Sequence, residues 1–269
     1  MISSTFFFLF SQLGIGMMWI LLFISPRSIG NSFFKFASLT SAILLSITLG
    51  FDFLFPSPVR DGPLPVVFLV VATVLVVLYN RMVDLEKYRP AQALLIASIA
   101  AGTVSIALDG LAFTRLMELG GWERWVLVVN HLGATALLGS VMLTMVFGHW
   151  YLIVPNLSID PLRLLTKVYL GTIGLRVLTL FVTLAALMVY QAVPLTNVAS
   201  ELFFRQALFF WPRILFGVVV PIVLGVMIWN TVQIRHTQAA TGLLYVAVVA
   251  LLFGEFFSKF LLFSLNLPL

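Results

Sequence analysis

Apolar residues run in windows of about twenty along nearly the whole chain, and short clusters of proline, glycine and charge interrupt them. A helix rising ~1.5 Å per residue needs about 20 residues to cross a hydrocarbon core of ~30 Å. Each window therefore predicts a membrane-spanning helix, which satisfies its own backbone hydrogen bonds in lipid. Eight are predicted: Ser4–Ile24, Phe36–Phe55, Leu64–Tyr79, Ala91–Phe113, Trp125–Val154, Leu164–Leu187, Ala207–Val232 and Gly242–Leu262. Between them lie Ser25-Pro26-Arg27, Pro56 to Pro63, Asn80 to Pro90, Thr114 to Arg124, Pro155 to Arg163, Tyr190 to Arg205 and Gln233 to Thr241. Such short connectors predict an all-α polytopic helical bundle, one integral membrane domain over residues 1–269. No repeat is evident between the first and last four helices, and a two-bundle architecture is compatible with that. The first run lacks the basic lead and small-residue cleavage site of a signal peptide, so it is expected to be a retained helix.

Composition agrees with this pattern. The chain is 61% hydrophobic and 9% charged, against roughly 25% charged in an ordinary soluble domain, and its mean hydropathy is +1.12. There is no cysteine, which excludes disulfides, thiolate zinc sites and cysteine-ligated iron–sulfur clusters within this chain. No metal site is expected from the remaining residues.

The net charge of +5 reads as topology, and no nucleic-acid partner is inferred from it. Loops after helices 1, 3, 5 and 7 hold Arg27, Lys35, Arg81, Lys87, Arg89, Arg163, Lys167 and Arg235, while the other side holds Arg60, Arg115, Arg124 and Arg205. Basic loops tend to stay in the cytoplasm, so both termini are expected on the non-cytoplasmic side of a bacterial-type inner membrane. Trp122 and Trp125 at one end of helix 5, with Trp150 and Tyr151 at the other, suit interfacial belts.

The informative residues are the ionisable ones inside apolar runs: Asp52, Asp109, His131, His149, Arg176, Arg213, Glu255 and Lys259. Each is costly in lipid unless it is paired or lines a cavity. Counting along the helices puts Asp52, Asp109, His131, Arg213, Glu255 and Lys259 in the non-cytoplasmic half, Arg176 nearer the middle and His149 by the cytoplasmic face. Asp109 continues a stripe of small residues, Ala97, Ala101 and Ser105, on which helices approach closely. Arg176 shares a polar stripe with Thr172, Thr179 and Thr183. Glu255 and Lys259 stand four apart with the acid first, the favourable order for a helical ion pair. Pro221 predicts a kink that loosens backbone groups near Gly217. Snorkelling to the interface is a sufficient explanation for Asp52, Arg213 and Lys259. A purely hydrogen-bonding role competes with a functional one for Asp109, His131 and Arg176.

A quinone headgroup needs hydrogen-bond partners at its two oxygens, and its reduction takes up two electrons and two protons. Asp109, His131 and Glu255 are the residues expected to handle those protons, as groups whose proton affinity burial and neighbouring charge can tune. Arg176, Asp52 and Arg213 are expected to hold the headgroup, ubiquinone or menaquinone. Haem b is disfavoured. His131 and His149 share helix 5 but stand ~27 Å apart along its axis, so they cannot ligate one iron. Only His149 with His236 could form a bis-histidine site.

The stretch Gly254-Glu255-Phe256-Phe257-Ser258-Lys259, a small-acid pair followed by a basic residue in the last helix, resembles the final helix of the NrfD-like membrane anchors of dimethyl sulfoxide and polysulfide reductases. The resemblance covers about the last 60 residues and carries over Glu255 alone. It implies a quinone site in the non-cytoplasmic half and a partner iron–sulfur or cytochrome redox subunit outside. Two rivals fit the same residues. One is a proton- or ion-coupled transporter, against which stand the offset of the charges to one face and the lack of an evident repeat. The other is a non-catalytic anchor whose charges seat a partner.

Overall fold

The computed structural model describes residues 2–56, 60, 62–116, 121–154, 157–191 and 204–265. Within these, the side chains of Ile2, Ser3, Arg27, Ser28, Phe113, Arg115, Leu116, Glu123, residues 187–191, Ser264 and Leu265 are not described. Two of the loop cations used to orient the chain, Arg27 and Arg115, thus lie outside the described side chains.

Eight helices are long and apolar enough to cross a membrane. They are α1 (Ile2–Leu21), α2 (Asn31–Leu54), α3 (Leu64–Asp84), α4 (Tyr88–Leu116), α5 (Glu123–Ile153), α6 (Asp160–Gln191), α7 (Ala207–Gln233) and α8 (Thr237–Leu265). A single helical turn, Pro26–Ile29, precedes α2. Several helices run beyond their apolar windows: α3 continues to Asp84 and α4 begins at Tyr88, leaving only three residues between them. Pro90 falls in the first turn of α4, where its missing N–H breaks no helical bond.

The helices pack as two rings of four. In the first, α1 contacts α2, α2 contacts α3, α3 contacts α4, and α4 closes on α1; in the second, α5 to α8 repeat the same order. The rings join along α1 and α5, with further contacts from α4 to α5 and from α8 to α1. The two-bundle architecture left open by the sequence is thus present, although no repeat is evident in the residues. Helices α4 and α8 begin and end 149 residues apart, Tyr88 to Thr237 and Leu116 to Leu265. The turn before each has one non-glycine residue in the left-handed region, Glu86 (φ 58°) and Arg235 (φ 60°). In both, the next N–H reaches back five residues, Lys87 to the Met82 carbonyl (2.9 Å) and His236 to that of Thr231 (3.0 Å). This capping arrangement satisfies carbonyls at the helix end. The match is one of backbone geometry, and hardly any side chain repeats.

Helices α1 and α5 form the centre. Over their apolar windows α1 is 83% and α5 78% buried, against 33% for α3 and 28% for α7, so the latter two present most of their surface to lipid. The close crossing of α1 and α5 depends on glycine at both sides. A Cβ on Gly16 would stand 2.8 Å from the Cα of Gly139. Small residues at such crossings let backbones meet, which is how helices associate in lipid without a hydrophobic drive.

Helix α7 is not a plain α-helix. Between Ala207–Ile214 and Val220–Gln233 lies a π-helical turn, Leu215–Val219. Pro221 has no N–H to give to the carbonyl four residues back at Gly217, and the wider turn absorbs the distortion. Gly217 is buried, and a Cβ on Gly254 of α8 would stand 2.5 Å from its Cα. The loosened backbone thus lies against protein, as the sequence predicts. On α4, Ala101, Ser105 and Asp109 are buried but Ala97 is exposed, so the small-residue stripe is shorter than expected and the buried face passes instead through Ser98 and Gly102.

Candidate functional site

The buried ionisable side chains gather at one end of the bundle, the end that carries the connectors after α2, α4 and α6. They form two ionic networks, one in each ring, where a single cluster was expected.

In the first ring, the connector between α2 and α3 turns Arg60 inward. Its Nε donates to Asp109 Oδ1 at 2.8 Å and its Nη1 to Asp52 Oδ1 at 2.5 Å. The side chains are 6%, 2% and 10% exposed for Arg60, Asp109 and Asp52, which corrects the snorkelling explanation of Asp52. The guanidinium also lies 4.0 Å from the centre of the Phe7 ring, a cation–π contact that desolvation strengthens. Burial works against the Arg60 charge, but the Asp109 and Asp52 carboxylates outweigh it and raise its pKa above the ordinary arginine value. Arg60 Nη2 is buried with no partner among the described residues. The sequence places Arg60 among the loop cations; only the fold shows that it belongs to the site.

In the second ring, Glu255 of α8 is the hub. Arg176 of α6 donates to it from Nε (3.0 Å, to Oε1) and from Nη2 (3.3 Å, to Oε2). Arg213 of α7 stands 3.3 Å from Oε1 and Lys259 3.3 Å from Oε2. All four side chains are 0–2% exposed, so neither Arg213 nor Lys259 snorkels. The expected pair of Glu255 with Lys259 exists, but it is one arm of a larger network. Arg176 Nη1 also reaches Asn130 of α5, at the side-chain oxygen and, at 3.2 Å, the backbone carbonyl. Thr172, Thr179 and Thr183 are buried along the same face of α6. Gly217 makes room for Arg213, since a Cβ there would collide with the guanidinium. Among the described residues the network holds three cations and one carboxylate.

His131 lies between the networks. It follows Asn130 on α5 but faces the first ring. Its imidazole stacks on Phe8 of α1, with centroids 4.7 Å apart and an interplanar angle of 21°. A Cβ on Gly110, next to Asp109, would lie 2.9 Å from its Cδ2. Lys259 Nζ lies 5.8 Å from the centre of the same Phe8 ring. His131 Nε2 is buried and has no hydrogen-bond partner among the described residues. Gln12 of α1 donates to the His131 backbone carbonyl at 3.1 Å, while its own Oε1 is also buried and unpartnered. A pair of adjacent phenylalanines on α1 thus touches both networks: Phe7 covers Arg60, and Phe8 lies against His131 and Lys259.

Beside the second network, an apolar groove of about 430 Å³ opens between α5 and α6, lined by Trp122, Trp125, Val129, Leu178, Thr179 and Val182 among others. Thr179 at its base is one turn from Arg176 and donates to the Arg176 carbonyl at 2.9 Å. At the far end of α5, His149 is exposed and meets the Tyr245 hydroxyl at 3.1 Å. No group of three or more His, Asp or Glu side chains converges on a metal-sized point among the described residues.

Arg60, Asn130, Gln12 and Phe8 are the members that sequence reasoning did not select. Asn130 and Gln12 carried a usable signal, since each is a polar residue within an apolar run. Comparison with protein-family models, with curated proteins and with solved structures finds no match.

Proposed function

We propose that the chain is the quinone-interacting membrane subunit of a redox complex in a bacterial-type inner membrane. It exchanges electrons between the quinone pool and a partner iron–sulfur or cytochrome subunit on the non-cytoplasmic side. The observation that carries this reading is His131, whose buried Nε2 lacks a partner at a point flanked by two ionic networks. A quinone converted to quinol takes two electrons, here from the partner subunit, and two protons, and its oxygens gain negative charge on the way. An imidazole nitrogen left unpaired by the protein can bond to one of those oxygens. Nearby cations favour the charge that develops there, and they act strongly where water is excluded.

Residue roles follow from position. His131 bonds to the ring oxygen and exchanges a proton with it, while Glu255 and Asp109 hold protons in transit on either side. Arg176 and Arg213 hold Glu255 in place, Arg60 holds Asp109, and Asp52 completes the charge balance around Arg60. The repeated rings weaken one objection to a transporter, but the charges remain offset to one end rather than at the midplane where transporter sites lie.

The test is purification in mild detergent, followed by quinone extraction and identification of accompanying subunits. Quinone and a redox partner are expected to come with the chain. A lone, quinone-free protein that carries solute across liposomes overturns the reading in favour of a proton- or ion-coupled transporter.

A further inference from the structure

The end of the bundle opposite the ionic networks contains a cavity of about 360 Å³. It lies where α1 ends, α2 begins, and α3 turns into α4, with walls that include Ser25, Phe34, Tyr79, Val83, Gln92 and Leu95. Leu21 ends α1 and Phe8 lies 13 residues before it, about 20 Å of helix away, so this cavity is distinct from the His131 region.

Three observations say what it would hold. Tyr79 is only 3% exposed, yet its hydroxyl has no hydrogen-bond partner in the described structure and its side chain lines the cavity. Other tyrosine hydroxyls in the bundle do find partners: that of Tyr88 donates to Asn31 Oδ1 and that of Tyr169 to the Pro221 carbonyl. An unpaired hydroxyl on the cavity wall is a free donor, and a carbonyl oxygen of a ligand supplies its acceptor. Second, no lining residue is charged. Of the described cations at this end, Lys35 and Arg81 both pair with Asp84 outside it. A phosphate headgroup would meet no cation among these lining residues, whereas an uncharged ring needs none. Third, the volume is at the lower end of small-ligand clefts, which span about 300–1,000 Å³. That suits a substituted ring and the start of its tail, between the aromatic faces of Phe34 and Tyr79.

We propose that this cavity is a second ligand site, for the uncharged ring of a membrane quinone, with the Tyr79 hydroxyl donating to a ring carbonyl. The identity of the ligand rests on the function proposed above, but the site is separate from His131. Two positions on opposite sides of one bundle would let quinone be bound near either membrane surface.

Photolabelling tests it. The purified protein, with any subunits that accompany it, is irradiated with a short-tailed azido-benzoquinone, and labelled peptides are mapped by mass spectrometry. Label is expected both near His131 and on peptides from residues 21–34 or 79–95. Tyr79→Phe removes only a hydroxyl and should keep the fold; it should weaken cavity labelling roughly five- to tenfold and leave label near His131 unchanged. Leu95→Trp should fill the cavity and abolish label there alone. Label confined to the His131 region overturns the second site, as does cavity labelling that is unaffected by Tyr79→Phe or that added phospholipid suppresses while excess quinone does not. Label in the cavity but not near His131 sustains the second site and removes the first. Absence of label from both ends removes both.

Discussion

Arg176 and Glu255 face each other across the second ring in a two-bonded ion pair, 3.0 Å from Nε to Oε1 and 3.3 Å from Nη2 to Oε2, with side chains 2% and 0% exposed. The pair ties α6 to α8, and Arg213 and Lys259 attach α7 and the last turns of α8 to the same carboxylate. Removing one member of a buried pair leaves the other as an uncompensated charge, a loss of about 3–5 kcal/mol. Glu255→Gln leaves three cations around a neutral amide. It should lower the thermal unfolding temperature in detergent more than Arg176→Gln does. The double variant should be more stable than the sum of the single losses implies, because the partners are removed together.

Much of this was legible from residues alone. Apolar windows placed eight helices, and the cost of ionisable groups in lipid singled out eight residues, of which Asp52, Asp109, His131, Arg176, Arg213, Glu255 and Lys259 are buried here and His149 is exposed. Partner choice was not legible, because helical periodicity says which face a residue occupies but not which neighbour meets it. Asp109 and Glu255 lie on the fourth helix of their respective rings, so they serve separate networks. Arg60 was hidden by its place in a proline-rich connector, where a cation ordinarily reports topology. The architectural repeat was hidden because Glu86 and Arg235 share a backbone conformation, not a residue type.

Arg60 is the sole described cation holding Asp52 and Asp109 together. Arg60→Met would leave two carboxylates close together and buried, with like-charge repulsion and desolvation both unfavourable. A drop in stability on the order of 3 kcal/mol is expected. Adding Asp52→Asn and Asp109→Asn should recover part of it. Guanidinium-free melting curves of the purified protein in one detergent, compared across the three variants, decide the matter; no recovery in the triple variant would contradict the network.

The α1–α5 crossing should be the least tolerant contact in the molecule. Leucine at Gly139 would have to occupy the space of the Gly16 backbone, which no rotamer change relieves. Gly139→Leu is expected to cost more than the roughly 1–3 kcal/mol of ordinary overpacking and to abolish accumulation in the membrane. Gly50→Leu, where nothing lies within 4 Å of an added Cβ, should accumulate normally. Fluorescence of a fused reporter in membranes reads both.

Orientation can be tested cleanly because the chain has no cysteine. Single substitutions Glu86→Cys and Arg235→Cys sit in equivalent turns at one end, and Gly121→Cys sits in a connector at the other. If basic loops face the cytoplasm, a membrane-impermeant maleimide should label Gly121→Cys in intact cells and the other two only after lysis. The reverse pattern would put the ionic networks on the cytoplasmic side and move the partner subunit with them.

His131 separates a functional site from a merely structural one. Phe8 stacks on its ring and Gly110 abuts its edge, so an aromatic of similar shape preserves most of the packing. His131→Phe removes the ring nitrogens but retains the apolar contact, and because Nε2 bonds to nothing among the described residues, its loss strands no described partner there. Stability should therefore change by less than about 1.5 kcal/mol, the range of a tolerated core swap. Quinone-linked electron transfer, by contrast, should fall by 10²–10⁴-fold if the imidazole exchanges the proton. Asp109→Asn should slow the same reaction, and because Arg60 keeps its bond to Asp52 it should cost less stability than Arg60→Met. Equal loss of stability and of electron transfer in His131→Phe would assign the histidine to packing, and undiminished transfer would remove it from the site altogether.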